Sequence, residues 1–122
     1  MESNAITVVY KWTAKPGKLE ELTAIYNGVT QAMKENEPGA LAVQVYVSVE
    51  ENALYVRDDF ADANALGFHL SETAGPHFPT LLEVASPGAF YFFGNVPVEM
   101  QQAAKSMGLA AEFADHVTGF NR

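Results

Sequence analysis

These 122 residues predict an α+β fold in which an antiparallel sheet carries helices on one face. Two amphipathic helical patterns are spaced between apolar segments of strand length, in the order β-α-β-β-α-β. Turn-forming residues stand where the period changes, at Lys15-Pro16-Gly17-Lys18, Glu37-Pro38-Gly39 and Glu50-Glu51-Asn52. A hydrophobic fraction of 48% with 18% charged residues suffices for one packed core, so one domain over 1-122 is expected and a disordered chain is not.

The first strand runs from Asn4 to Thr13, with Ile6, Val8, Tyr10 and Trp12 alternating against Thr7, Val9, Lys11 and Thr13. Leu19, Leu22, Ile25, Tyr26, Val29 and Met33 then recur at helical spacing, a helix of about four turns or more. Leu41 to Val49 alternates again as a second strand, and Ala53 to Phe60 is the third. In that third strand Leu54, Val56 and Phe60 share a parity on which Asp58 is the one polar exception. Asp62 is placed to cap a second helix over Ala63 to Leu70, because its carboxylate can accept from free first-turn amides. Ala74-Gly75-Pro76 is expected to interrupt that helix. A new piece is expected to start at Pro76, carry Phe78, Leu81, Leu82 and Val84, and close at Ser86-Pro87-Gly88. Ala89 to Phe93 reads as a fourth strand. From Pro97 to about Asp115 the stripe Met100, Ala104, Met107, Ala111 and Ala114 predicts a C-terminal helix, weakened by Gly108.

This order is that of the ferredoxin-like split βαβ, here with a four-stranded sheet over 4-96 and a helical extension over 97-122. Helices on one face leave the other exposed, yet the fourth strand is aromatic on both parities and Val9 faces away from Ile6, Val8 and Tyr10. A second copy of the sheet is the cover expected, which predicts a homodimer.

Seven Lys+Arg against 15 Asp+Glu give a formal charge of -8, with no basic cluster, so neither nucleic acid nor a membrane surface is an expected partner. The absence of cysteine removes disulfides, thiol nucleophiles and thiolate metal sites. Glu2 stands where a signal peptide needs positive charge, and no apolar run is long enough to span a bilayer, so a cytoplasmic protein is expected.

His69 and His77 lie where helix, glycine and proline crowd together, each between apolar neighbours. Either serves in proton transfer or is a structural histidine bonded to a carbonyl. Their spacing crosses the expected helix break and no third ligand stands at a recognisable offset, so no metal and no cofactor is expected. Tyr10, Trp12, Tyr46, Tyr55, Phe90 and Phe92 would line one or other sheet face, walling a cavity for a flat apolar ligand or simply filling core and interface. Arg57, beside Asp58 and Asp59, either pairs internally or orients an anionic oxygen. Asn64 and Phe68, one helical turn apart, share a helix face, as pocket positions or as ordinary surface and core. No phosphate loop, G-x-S-x-G elbow or H-E-x-x-H is present, so nucleotide use and triad hydrolysis lose support.

Ala65-Leu66-Gly67-Phe68-His69-Leu70, followed by Pro76-His77-Phe78 and Leu81-Leu82, resembles the A-L-x-x-H-L-x-S-P-H-F stretch of the antibiotic biosynthesis monooxygenase-like family. The opening strand and the turns Lys15 to Lys18 and Glu37 to Ala40 are similar too, so the likeness covers about Ala5 to Val96. The resemblance implies a dimeric α+β barrel and cofactor-independent oxygenation of an aromatic polyketide or quinol. It puts His69 or His77 as base; Arg57 or Asn64 would then stabilise the oxyanion, and Phe68 with the sheet aromatics would contact substrate. Glu72-Thr73-Ala74-Gly75 lengthens the link between the histidines relative to the family pattern. The haem-degrading branch has a tryptophan on its second helix, where this chain has Phe68; its only tryptophan is Trp12. Two further readings share the fold: a non-catalytic dimeric module for a small ligand or protein, and a lyase or isomerase that uses the histidine base without oxygen.

Overall fold

The computed structural model describes residues 4–122. Met1-Glu2-Ser3, on which the expectation about a leader partly rests, lies outside the described residues. Among these, five strands form one sheet: β1 Ile6–Ala14, β2 Ala40–Ser48, β3 Ala53–Phe60, β4 Ala85–Phe93 and β5 Ala111–Ala114. The order is β2-β3-β1-β4-β5. The first four strands pair antiparallel in the split βαβ arrangement, and β5 joins β4 in parallel. Helices α1 Leu19–Asn36, α2 Ala63–Phe68 and α3 Gly75–Val84 accompany the sheet, and α4 Val98–Ser106 links β4 to β5.

The α+β class is as expected. Residues of one parity, Ile6, Val8, Tyr10 and Trp12 of β1 with Leu54, Val56 and Phe60 of β3, are buried against Leu22, Tyr26, Val29 and Met33 of α1. Trp12, Phe60 and Phe92 are the largest side chains at the centre of that core. The β2–β3 hairpin turns at Asn52, whose φ of 56° lies in the left-handed region that asparagine tolerates. Its side-chain amide donates to the Ala14 carbonyl at 2.9 Å, tying the hairpin to the end of β1.

Three local expectations are corrected. The sheet has five strands rather than four, because the apolar stripe after Pro97 divides into a helix and a strand. Gly108, at φ 84°, ends the helix in a conformation a side chain resists. Beyond it, Phe113 stacks on Phe92 with centroids 5.0 Å apart. Secondly, β4 begins at Ala85, so Ser86-Pro87-Gly88 is strand and not a terminator. Pro87 lies opposite Trp12, where the β1–β4 register shifts, and a bulge is where a strand tolerates the missing donor. Thirdly, Ala74-Gly75-Pro76 does not interrupt the second helix. A π-helical turn, His69–Ala74, joins α2 to α3, and Gly75 keeps helical angles of φ -54° and ψ -55°. A residue before proline is normally pushed out of the α region by its Cβ, which Gly75 lacks. The N-cap is as expected: Asp62 Oδ1 accepts from the Ala65 amide at 2.9 Å.

Candidate functional site

Between the inner face of the sheet and the α1, π-turn and α3 layer lies a crevice. Its sheet wall is aromatic: Tyr10 stacks on Phe90 with centroids 4.5 Å apart, and Trp12 meets Phe90 and Phe78 edge-on at 6.4 and 5.7 Å. Phe92 completes that wall, while His69 and His77 enter from the helical layer and Met107 and Leu109 from the chain after α4. Its free volume is about 40 Å3, room for about three waters, since about 10–15 Å3 holds one.

His69 is buried on the π-turn, its ring 5.1 Å from that of Phe60. Its Nδ1 lies 3.1 Å from Glu37 Oε2, the oxygen to which the Thr73 hydroxyl also donates at 2.5 Å. Glu37 follows α1, so a loop carboxylate fixes a histidine and a threonine of the π-turn across two elements. Burial disfavours its charge, but the bonds from His69 and Thr73 outweigh that and hold the carboxyl below the usual range. With Nδ1–H donated to Glu37, Nε2 is the lone-pair nitrogen of His69. His77 is anchored differently: its Nδ1 donates to the Thr73 carbonyl at 2.8 Å.

Asp58 is the buried carboxylate that lines the crevice, 2% exposed. Tyr10 donates to its Oδ2 at 2.8 Å, and Tyr26 donates to the Tyr10 oxygen at 3.3 Å. Its Oδ1 has no hydrogen-bond partner. Burial raises the carboxyl to about 6, against the lowering influence of His69 when its ring is protonated and of the Tyr10 bond. The same burial, with Asp58 and Tyr26 beside it, raises Tyr10 well above an ordinary phenol.

The structure therefore brings together His69, His77, Tyr10, Trp12, Phe90 and Phe92. It does not place Arg57, Asn64, Tyr46 or Phe68 with them. Arg57 lies on the outer sheet face, half exposed, with Nε 3.3 Å from Asp59 Oδ2. Tyr46, paired with Tyr55 in the β2–β3 ladder, is on that outer face too, 58% exposed. Asn64 and Phe68 border a separate open groove of about 320 Å3 beside Pro38 and Asp62. Sequence reasoning missed Glu37, Thr73 and Tyr26, since nothing local marks a turn glutamate as the partner of a histidine 32 residues on. Asp58 did leave a signal, its polar side chain on an apolar parity. Among the described residues no cluster of three or more His, Asp or Glu could hold a metal. No helix among them is long and apolar enough to cross a membrane.

The family model of antibiotic biosynthesis monooxygenases matches residues 5–79, from the start of β1 into α3. The chain belongs to this family. The resemblance read from the histidine segment is thereby borne out. Antibiotic biosynthesis monooxygenase folds also recur among solved structures. MupZ from Pseudomonas fluorescens is 18% identical, with a TM-score of 0.81 over 100% of this chain and 92% of its own, so its overall fold is shared over the whole chain. SnoaB from Streptomyces nogalater, a cofactor-independent oxygenase, is 16% identical, with a TM-score of 0.64 over 79% of this chain and 97% of its own. A conserved protein from Methanosarcina mazei Go1 is 25% identical over 72% of this chain and 89% of its own, with a TM-score of 0.62. Among curated proteins, none matches this antibiotic biosynthesis monooxygenase family member by sequence.

Proposed function

We propose that this family member is a cofactor-independent monooxygenase of a hydroxylated aromatic substrate, acting in the crevice as one half of a homodimer. The observation that carries the reading is the pair of buried acid–base groups, His69 on Glu37 and Asp58 on Tyr10, in a cleft that, His77 apart, is otherwise lined by aromatic and aliphatic side chains. Oxygenation without a cofactor uses the substrate as reductant, and the protein's share is to remove a proton and shelter the electron-rich anion from water. His69 Nε2 is the proton acceptor in this account, with Glu37 supporting the imidazolium that forms. Overall the substrate loses two hydrogens and gains one oxygen atom from O2, and the other oxygen atom leaves as water. Family membership and the fold shared with SnoaB, a cofactor-independent oxygenase, support this choice among acid–base chemistries.

The crevice at about 40 Å3 is far below the ~300 Å3 or more of a ligand pocket, so substrate entry requires the α2, π-turn and α3 layer to move off the sheet. The exposed aromatics support the dimer: Tyr91 and Phe93 stack at 6.3 Å on the outer face and are 45% and 44% exposed. A second sheet laid over them would bury Tyr46, Tyr55 and Val9 as well.

The test is oxygen uptake under 18O2 by the metal-stripped protein, against quinols and anthrones. One labelled atom per product molecule, at a rate above that without protein, is the expected result. No uptake across both substrate classes would overturn the reading in favour of a binding module or an oxygen-independent lyase or isomerase.

A further inference from the structure

The crevice offers acceptors from two sides, and their chemistry restricts what can sit between them. His69 gives its Nδ1 to Glu37, which leaves Nε2 as an acceptor from the helical layer. Asp58 presents Oδ1 from the sheet, buried and without a hydrogen-bond partner. An ionised carboxylate only accepts, and a buried acceptor left unmade costs more than a made bond returns. The groups around Asp58 do not fill this demand. Tyr10 of β1 already donates to Oδ2 and itself accepts from Tyr26 of α1. Asp59, next on β3, is held by Thr7 at 2.6 Å and by Arg57 on the outer face, and like Glu37 it opposes the Asp58 charge. His69 makes no hydrogen bond to Asp58, its Nδ1 being taken by Glu37.

We propose that Asp58 Oδ1 is a specificity-determining acceptor that binds a substrate hydroxyl on the sheet side while a second hydroxyl faces His69. The inference rests on the crevice being the substrate site, as argued above. It predicts that a ring with hydroxyls at both positions is taken, and that a ketone or ether oxygen, which can only accept, is refused on the Asp58 side.

Trp12 is the only tryptophan and lines the crevice, so its fluorescence reports occupancy with no turnover required. Under argon the probes are 1,4-naphthohydroquinone, 4-methoxy-1-naphthol and 1,4-dimethoxynaphthalene. Each hydroxyl-to-ether step is expected to weaken binding by about tenfold, the worth of one hydrogen bond to a charged or buried partner. In Asp58→Asn the amide oxygen can still accept from Tyr10, which turns its NH2 to the ligand. The first step should vanish and the second remain. A purely structural Asp58 would leave the ordering of the three probes unchanged in the variant, and that outcome overturns the proposal. Equal affinities in the native protein overturn it without any variant. Graded binding that depends on Asp58, without oxygen uptake in air, keeps the subsite and removes the oxygenase reading. Uptake without grading does the reverse.

Discussion

The Tyr10 hydroxyl reaches Asp58 Oδ2 at 2.8 Å diagonally across the β1–β3 ladder, in which Tyr10 lies opposite Val56 and Asp58 opposite Val8. Two strands are thereby joined through side chains inside the core, at a position where a carboxylate is costly. The folded carboxyl titrates near 6 against an ordinary 3.8, chiefly because it is buried. Between those values the native state holds a proton the unfolded state has released, so stability falls as pH rises through that window and is level above it.

The size of that fall is about 3 kcal/mol at most, from the two values and ~1.36 kcal/mol per unit. Urea unfolding of the native protein and Asp58→Asn from pH 4 to pH 7 measures it. The difference between the two isolates Asp58 from His69, Glu37, Asp59 and Tyr10, the other groups that act on it. Native stability should decline relative to the variant as pH rises, and parallel curves would refute the raised carboxyl.

Glu37 has the opposite sign. Its carboxyl is lowered, so it stabilises the fold above the ordinary glutamate range and loses that contribution as pH falls through its folded value. Glu37→Ala leaves His69 Nδ1 and the Thr73 hydroxyl without their acceptor and should cost about 3 kcal/mol at pH 7. Thr73→Val, which removes one bond to the same oxygen, should cost about 1–2 kcal/mol by urea unfolding. A Glu37→Ala protein as stable as the native would show that the cluster is not held as described.

Gly39 fixes how closely α2 approaches the start of β2. A Cβ there would lie 2.5 Å from the Ala65 Cβ, and neither group can swing aside. Gly39→Ala should cost about 1–3 kcal/mol by overpacking. Pairing it with Ala65→Gly should restore most of that loss, apart from about 1 kcal/mol for glycine within a helix. Thermal unfolding of both singles and the double reads the coupling, and additive losses would place the strain elsewhere.

The outer sheet face supplies a separate test of assembly. Tyr91→Glu sets a charge in the middle of the exposed aromatic patch, next to Val9 in the β1–β4 ladder, and touches nothing in the core. Sedimentation should show a dimer for the native chain and a folded monomer for the variant. A native monomer would count against the two-sheet assembly.

How much of this could be read in the sequence depends on how local each signal is. Alternation in β1 and β3 and the spacing of Leu22, Tyr26, Val29 and Met33 reflect one buried face each, so those elements were legible. Ser86-Pro87-Gly88 and Gly75-Pro76 misled because a register shift and a π-turn, both set by tertiary packing, absorb residues that stop an isolated strand or helix. β5 was hidden because Ala111 and Ala114 continue the helical stripe of Met100, Ala104 and Met107, and a strand of four residues is too short to show its own alternation. Of the site, the histidines and the β1 and β4 aromatics were legible from motif and parity. The carboxylates that position the polar groups reach them from 32 and 48 residues away, a separation no local pattern encodes.

The central claim is that His69, held by Glu37, takes the proton that starts an oxygen-consuming reaction in the crevice. It is tested most directly by oxygen uptake with a quinol, comparing the native protein, His69→Ala and His77→Ala, each shown by circular dichroism to be folded. The account predicts a rate about 100-fold or more lower in His69→Ala, the usual share of a general base, and a much smaller effect in His77→Ala. An undiminished rate in His69→Ala would contradict it.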